Sequence, residues 1–187
     1  MLPTLYTKRL ILRPLTLKDV DDFHEYATSS LVGPRAGWEP HKNIHETKQI
    51  LKNMIDYDYH LQMDLGHYAI VIRENNKMIG MVELYNYIPS FKAELGYSIN
   101  PIYWGNGYAA EASLKMLEYA FSKLDLKRIE AKTFVDNYQS QRVCEKIGMQ
   151  KEGIMRKAYL RYDNQIFDEV LYGITDDDFF KLIQNDK

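Results

Sequence analysis

Residues 93–112 read Ala-Glu-Leu-Gly-Tyr-Ser-Ile-Asn-Pro-Ile-Tyr-Trp-Gly-Asn-Gly-Tyr-Ala-Ala-Glu-Ala. The stretch begins as a strand, turns through a tight loop that holds Gly105 and Gly107, and continues as a helix from about Tyr108. Such a junction directs unpaired backbone N–H groups and the positive end of the helix dipole at one point, where a pyrophosphate binds without needing a lysine. The glycine spacing is neither the dinucleotide fingerprint nor a P-loop, so nicotinamide binding and nucleotide hydrolysis are set aside. The alternative is an ordinary strand-to-helix turn in which glycine only makes the bend.

The hydrophobic periods on either side of this stretch predict one mixed sheet. Period-2 patterns predict seven strands, at residues 9–14, 67–73, 78–87, 92–99, 128–135, 154–162 and 166–174. Period-3.6 patterns predict helices at residues 16–29, 44–59, 108–123 and 137–148, and a short terminal helix after Thr175. Residues 33–41, which hold two prolines and two glycines, predict a loop. Antiparallel hairpins and one strand-helix-strand crossover predict an α/β or α+β sandwich with helices on both faces.

The composition excludes several classes of function. The 187 residues include 24 basic and 26 acidic ones, and the net charge of −2 gives no general attraction to nucleic acid or anionic lipid. A single cysteine, Cys144, precludes an intramolecular disulfide and a cysteine-based zinc cluster, and no metal site is expected. No apolar stretch is long enough for a secretory signal or a membrane span. We expect a single domain, residues 1–187, in the cytoplasm, as a monomer or a homodimer.

A second polar stretch follows the strand predicted at residues 128–135. It places Asn137, Ser140 and Arg142 at the start of a predicted helix. If two parallel strands each end at a helix start, Asn137 lies near the edge where the first loop opens, and an amide and a hydroxyl there can bind a polar ligand. The alternative is that asparagine and serine only cap the helix.

The two stretches together resemble the GCN5-related N-acetyltransferase (GNAT) superfamily, and most closely its RimJ/RimL-type branch, which is named for ribosomal-protein N-terminal acetyltransferases. The acetyl-CoA loop of that family reads Gln/Arg-x-x-Gly-x-Gly/Ala, and residues 104–109 match it except that Trp104 replaces Gln or Arg. The branch often has tryptophan there, followed by Glu-Ala as at residues 111–112. Residues 7–13, residues 137–148 and the pair Asp168 and Tyr172 also resemble the branch, so the resemblance covers about residues 7–183.

The resemblance implies a GNAT-type fold, with a mostly antiparallel sheet of about seven strands that opens at one splayed pair of parallel strands, and acetyl-CoA as the cofactor. The backbone N–H groups of residues 105–110 would hold the pyrophosphate, and the pantetheine arm would lie along Ser98 and Ile99. A backbone N–H near Ile99 would polarise the thioester carbonyl. The residues expected to contact acetyl-CoA are Ser98, Ile99, Trp104, Gly105, Asn106, Gly107, Tyr108, Ala109, Ala110, Asn137, Ser140 and Arg142.

Acetyl transfer also needs a group that removes a proton from the incoming ammonium, and carboxylates are the candidates. Glu83 and Glu94 lie on strands that lead to the gap between the parallel strands. The alternatives are that Glu83 is a solvated strand position and that Glu94 is a structural hydrogen-bond partner. The departing thiolate needs a proton donor, and many family members have a tyrosine where this chain has Cys144. Cys144 is either that donor or a small buried hydrophobe, and Ser140 and Tyr138 are the substitutes.

Three regions are expected to contact an acceptor amine: residues 33–41, 57–60 and 159–168, with Asp56, Asp58 or Asp168 attracting the cation. Some of the fifteen tyrosines are expected to line this groove, unless they only cover the sheet edges. Three functions remain open. The first is an N-acetyltransferase for protein N-terminal α-amino groups, the second is the same chemistry on a polyamine or an aminoglycoside, and the third is a non-catalytic acyl-CoA-binding module.

Overall fold

The computed structural model describes residues 2–61 and 64–185. Within these ranges eight strands form one sheet and six α-helices pack around it. The strands are β1 (Leu5–Tyr6), β2 (Leu10–Pro14), β3 (His67–Ile72), β4 (Met78–Ile88), β5 (Lys92–Ile99), β6 (Arg128–Phe134), β7 (Gln150–Leu160) and β8 (Ile166–Thr175). The helices are α1 (Val20–Ala27), α2 (Gly33–Ala36), α3 (Ile44–Leu61), α4 (Tyr108–Ser122), α5 (Tyr138–Lys146) and α6 (Asp176–Asn185).

The sheet has the order β1-β2-β3-β4-β5-β6-β8-β7, and β5 with β6 is its parallel pair. These two strands are paired only at their beginnings, where Lys92 to Glu94 lie opposite Arg128 to Glu130. Beyond these residues the strands diverge, and β6 keeps its antiparallel pairing with β8 along its whole length. The mixed, mostly antiparallel sheet with a splayed parallel pair is thus confirmed.

Helices cover both faces of the sheet, as the sequence predicts. On one face, which we call the α4 face, α4, α5 and α6 share a continuous core with the sheet that includes Met116, Leu117, Ile129, Ile147 and Phe179. On the other, the α3 face, α1 and α3 enclose a second core that includes Phe23, Tyr26, Leu51 and Met81. In the described ranges, none of the helices combines the length and the apolar character needed to cross a membrane.

The structure differs from the predicted elements in three places. The two residues of β1 add an eighth strand, which is too short to show a period-2 pattern in the sequence. The predicted loop 33–41 contains the single turn of α2, because Pro34 is favourable in a first helical turn and Gly37 ends the helix. The final hairpin is longer than predicted, since β7 begins at Gln150 rather than near Ile154.

Candidate functional site

The loop between β5 and α4 presents free backbone amides at the start of a helix. Gly105 (φ +80°) and Gly107 (φ +76°) take the left-handed conformation that favours glycine, and Gly107 immediately precedes α4. In the part of the chain that the structure describes, the amides of residues 105–110 donate no hydrogen bond, and the α4 ladder starts with Glu111 N donating to the Gly107 carbonyl at 3.0 Å. These N–H groups are therefore available to a ligand.

Arg9 fixes this loop from a distant part of the sequence. Its Nη1 donates to the Asn106 carbonyl at 3.0 Å, and its Nε pairs with Glu111 Oε2 at 2.6 Å. The guanidinium also lies over the Tyr108 ring, 4.4 Å from its centroid. The sequence pattern did not place Arg9 at the site, because strand β2 brings it there only through the tertiary fold.

Lys146, at the end of α5, is a second cation beside the loop. A methyl group built on Gly107 would lie 3.7 Å from both Lys146 Nζ and Arg9 Nη2, and one built on Gly105 would have no neighbour within 4 Å. Lys146 forms no ion pair with any of the described residues. Free amides, open space and two flanking cations are a combination that fits a pyrophosphate.

The edge of β5 that faces β6 is open beyond Glu94. Ile99 lies opposite Gly80, and Asn100 N donates to the Ile79 carbonyl at 2.8 Å. In an antiparallel pair this register turns the backbone N–H and C=O of Ile99 away from β4, and therefore into the gap between β5 and β6. Such an edge can pair with an extended ligand as if with another strand.

The backbone N–H and C=O groups of successive residues in β5 point to opposite edges of the strand, so only every second residue faces the gap. The backbone of Tyr97 points into the gap like that of Ile99, whereas Ser98, a predicted contact, lies opposite Met81 and directs its backbone toward β4. The indole Nε1 of Trp104 donates to the Ile99 carbonyl at 2.7 Å. Trp104 thus joins the loop at residues 105–110 to the open edge, where the backbone groups that face the gap are those of Tyr97 and Ile99 rather than Ser98.

On the α4 face, two hydroxyl groups meet beside the gap, that of Ser140 on α5 and that of Tyr97 on β5. Asn137 caps α5, because its Oδ1 accepts from Ser140 N at 3.3 Å. Ser140 Oγ lies 2.9 Å from the Tyr97 hydroxyl, whose pKa is raised by burial. Arg142 is exposed on α5. The cap was one of the two roles predicted for Asn137, whereas the involvement of Tyr97 was not predicted.

Cys144 lies one helical turn beyond Ser140, inside the core of the α4 face. Only 1% of the residue is exposed, and burial raises the pKa of its thiol to about 12. The thiol is therefore protonated at neutral pH and packed among apolar side chains. This environment is that of a small buried hydrophobe.

On the α3 face, Glu83 belongs to a chain of three ionisable groups. His67 Nε2 lies 3.0 Å from Glu83 Oε2, and His67 Nδ1 lies 2.9 Å from Asp58 Oδ1. Burial favours a neutral ring, but the hydrogen bonds with the two carboxylates outweigh it and raise the pKa of His67 to about 10. Glu83 is 33% exposed, so it is neither fully solvated nor buried.

Glu94, the second candidate base, is engaged in a different way. It is buried, and its Oε1 accepts from Lys132 Nζ at 2.7 Å and from Asn86 Nδ2 at 3.0 Å. These contacts join β4, β5 and β6 at the point where the parallel pair begins to diverge. They favour the structural role that the sequence also allowed for Glu94.

Two of the regions expected to contact an acceptor meet across the α3 face. The Tyr159 hydroxyl donates to the Gly37 carbonyl at 3.1 Å, and Arg161 Nη1 donates to the Pro34 carbonyl at 3.3 Å. The loop 33–41 and the β7–β8 hairpin therefore form one continuous wall beside the gap.

The three aspartates proposed to attract a cation have different surroundings. Asp56 pairs with Lys52 at 2.6 Å on the exposed side of α3. Asp168 Oδ1 accepts from Lys157 N at 2.7 Å within the hairpin. Asp58 alone of the three is joined to Glu83, through the imidazole of His67.

Comparisons with known proteins identify the family. Residues 9–150 match the model of the acetyltransferase (GNAT) domain. The chain is 33% identical over 177 residues to the uncharacterized N-acetyltransferase YoaA of Bacillus subtilis (strain 168), covering 94% of this chain and 98% of YoaA. It is 31% identical over 173 residues to the uncharacterized N-acetyltransferase p20 of Bacillus licheniformis, covering 91% of this chain and 95% of p20. A crystal structure of a GNAT-family acetyltransferase from Bacillus anthracis superposes with a TM-score of 0.82 at 28% identity, covering 94% of this chain and 99% of that one.

The divergent pair β5 and β6 and the loop of free amides at the start of α4 are features that suit an extended ligand with a phosphate group. The family match makes the assignment specific: the chain belongs to the GNAT acetyltransferases. It is an acyltransferase with an N-acetyltransferase activity, and acetyl-CoA is the acetyl donor of this family.

Proposed function

We propose that this enzyme transfers an acetyl group from acetyl-CoA to the N-terminal α-amino group of a protein, as in the RimJ/RimL-type branch. The observation that carries the proposal is the position of Glu83, whose carboxylate lies on an open part of the α3 face beside the splayed edge of β5. Two exposed aromatic rings lie on the same face: Tyr85, which approaches Gly96 as Glu83 does, is 37% exposed, and Tyr57, edge-on to His67, is 59% exposed. An open surface with exposed aromatic rings suits a peptide better than a small polyamine, for which an enclosed acidic pocket is expected.

The donor would be held mainly by backbone groups. The amides of residues 105–110 would bind its pyrophosphate, with Arg9 and Lys146 adding positive charge on either side. The backbone of Tyr97 would pair with the pantetheine arm as with a neighbouring strand, whereas the Ile99 carbonyl already accepts from Trp104 and the Ile99 N–H is left for the thioester carbonyl. Bound in this way, acetyl-CoA supplies an activated thioester carbonyl at the gap.

Glu83 would act as the general base. An amine that arrives as an ammonium ion has no lone pair, so it must lose a proton before it attacks the carbonyl carbon. Glu83 Oε2 is occupied by His67, which leaves Oε1 to accept that proton directly or through water. As the bond to the amine nitrogen forms, the Ile99 N–H, which points into the gap, would stabilise the negative charge on the carbonyl oxygen.

Ser140 and Tyr97 would protonate the departing thiolate. Their hydroxyls are hydrogen-bonded to each other at 2.9 Å beside the gap, so one can donate its proton while the other stabilises it. We assign no such step to Cys144, because its thiol is enclosed in the core. Transfer would then proceed by direct attack in a ternary complex, without an acyl-enzyme.

The experiment is a panel of acceptors with purified enzyme and acetyl-CoA, measured as release of the coenzyme A thiol and confirmed by mass spectrometry. The panel contains peptides that carry the N-termini of ribosomal proteins, the same peptides with a blocked α-amino group, spermidine and an aminoglycoside. Acetylation of free N-termini only is expected. Turnover confined to the small amines would contradict the acceptor class, and binding of acetyl-CoA without any product would identify a non-catalytic module.

A further inference from the structure

The α3 face carries a carboxylate–imidazole–carboxylate chain that links helix α3 to strand β4. Asp58 contacts His67 twice: Oδ2 accepts from the His67 backbone N–H at 2.9 Å, and Oδ1 lies 2.9 Å from His67 Nδ1. His67 Nε2 lies 3.0 Å from Glu83 Oε2. Since each ring nitrogen faces a carboxylate oxygen, the ring is a double donor, which requires the imidazolium form.

Burial distinguishes the linked groups Asp58, His67 and Glu83 from a surface ion pair. The side chain of Asp58 is 8% exposed and that of His67 is 16% exposed. A methyl group on Gly66 would lie 2.5 Å from Asp58 Oδ1, so the absence of a side chain at that position admits the carboxylate. The ring of Tyr57 lies edge-on to His67, with centroids 6.4 Å apart. A charged pair held in this way is little screened by solvent.

Glu83, the last of the three linked groups, lies beside strand β5 at the proposed reaction site. Glu83 lies opposite Gly96 of β5, and a methyl group on Gly96 would lie 3.1 Å from Glu83 Oε1 and 3.1 Å from Tyr85 Cε1. The oxygen that His67 does not bond is thus directed over the backbone of β5, next to Tyr97, whose backbone points into the gap.

We propose that His67, anchored by Asp58, is a positioning residue that holds the Glu83 carboxylate against β5, so that Oε1 faces the acceptor amine. This proposal rests on the proposed function, in which Glu83 is the general base. The imidazolium also leaves the three groups with a net charge of −1, which attracts an ammonium ion to Glu83 without leaving two adjacent carboxylates to repel each other.

The first test is a titration of His67 by NMR with ring-labelled histidine. The ionisable groups that face His67 are Asp58 and Tyr57 from α3 and Glu83 from β4. We expect a midpoint of about 10 in the wild type, and a midpoint lower by about one pH unit or more in Asp58→Asn and in Glu83→Gln, because each removes one negative charge. A wild-type midpoint near the ordinary 6.5 would overturn the proposal.

The second test is the pH dependence of kcat/KM in three variants. In Asp58→Asn the imidazolium loses its proton at lower pH, so the decline on the alkaline side should move down by about one pH unit. His67→Gln, whose amide can still donate to Glu83, should retain part of kcat without that alkaline decline, whereas His67→Ala should retain less. His24→Gln is the control, since His24 lies on α1 of the same face and bonds Thr47 rather than a carboxylate.

The outcomes separate the two proposals. If the wild type and His67→Gln have the same kcat/KM while Glu83→Gln is impaired, the positioning role of His67 is wrong and the assignment of Glu83 as general base is kept. If the His67 and Asp58 variants lower kcat/KM without changing its pH profile, and His24→Gln does the same, His67 is only structural. If the wild type acetylates no amine, the proposed function fails, and the role of His67 in turnover fails with it.

Discussion

The two proposed binding regions at the gap between β5 and β6 offer different chemical groups to their ligands. On the proposed donor side the groups available are mainly backbone ones, namely the free amides of residues 105–110 and the open edge of β5 at Tyr97 and Ile99. On the acceptor side they are charged side chains, with Glu83 fixed by His67 and Asp58. In the proposed function, the donor side would bind acetyl-CoA, which the family shares, whereas the acceptor side would have to match one amine.

This difference explains why the two sides respond differently to substitution. Most substitutions leave the backbone N–H groups in place. Donor binding should therefore weaken only where a new side chain fills the space of the ligand or reverses the local charge. A carboxylate that acts as a base is lost with a single isosteric change. The following predictions use matched pairs of variants to test this contrast, from the largest expected effect to the smallest.

Replacing the base should have the largest effect. Glu83→Gln should lower kcat by about 10²–10⁴-fold, because the amide cannot accept the proton of the ammonium ion, while KM for acetyl-CoA stays unchanged. Glu94→Gln is the matched control: it should retain kcat and lower the free energy of unfolding by about 1–2 kcal/mol, because the bonds with Lys132 and Asn86 weaken. Steady-state kinetics and urea unfolding measure both. An equal loss of kcat in the two variants would contradict this assignment.

Blocking the phosphate loop should abolish donor binding. Gly107→Glu adds a negative charge close to Arg9 and Lys146, and it should weaken acetyl-CoA binding by about 100-fold or more, as measured by calorimetry. Gly107→Ala adds only the strain of a left-handed alanine, about 1–2 kcal/mol of stability, and should bind more tightly than the glutamate variant. Acetyl-CoA affinity that is unchanged in folded Gly107→Glu would exclude this loop as the pyrophosphate site.

Two residues one turn apart on α5 separate chemistry from packing. Ser140→Ala should lower kcat by about tenfold, less than for the base because the Tyr97 hydroxyl remains as a donor. Cys144→Ala should leave kcat unchanged and reduce the free energy of unfolding by about 1 kcal/mol, since it opens a small void in the core. A loss of turnover in Cys144→Ala at unchanged stability would restore the thiol as the proton donor.

The smallest effect is expected for a flanking cation. Lys146→Gln should raise KM for acetyl-CoA about threefold at low salt, and the difference from wild type should shrink as salt screens the charge. Lys48→Gln, which removes an exposed lysine on α3 far from the loop, controls for net charge. Identical salt dependence in the two variants would show that Lys146 does not contact the donor.

The sequence was most informative where local geometry decides the structure. The loop of free amides at residues 105–110 could be predicted because two glycines and a helix start are neighbours in the sequence, and its binding of a pyrophosphate stays a prediction. The divergence of β5 and β6 was predicted from the family resemblance. Arg9 and Lys146 were not predicted as neighbours of that loop, because Arg9 is 97 residues away from the Asn106 carbonyl that it bonds. His67 gave no signal either, since a histidine at the start of a strand has no local pattern that indicates its partners.

The amino-acid sequence by itself determined the order of strands and helices apart from β1 and α2, the loop of free amides and the family, because these depend mainly on neighbours along the chain. Only the tertiary structure decided which side chains face one another across the gap. It paired Tyr97 with Ser140, enclosed Cys144 in the core, directed Glu94 to Lys132 and joined Glu83 through His67 to Asp58. The physical reason is that each of these contacts joins different helices or strands, so its geometry exists only once the sheet and its helices have packed together.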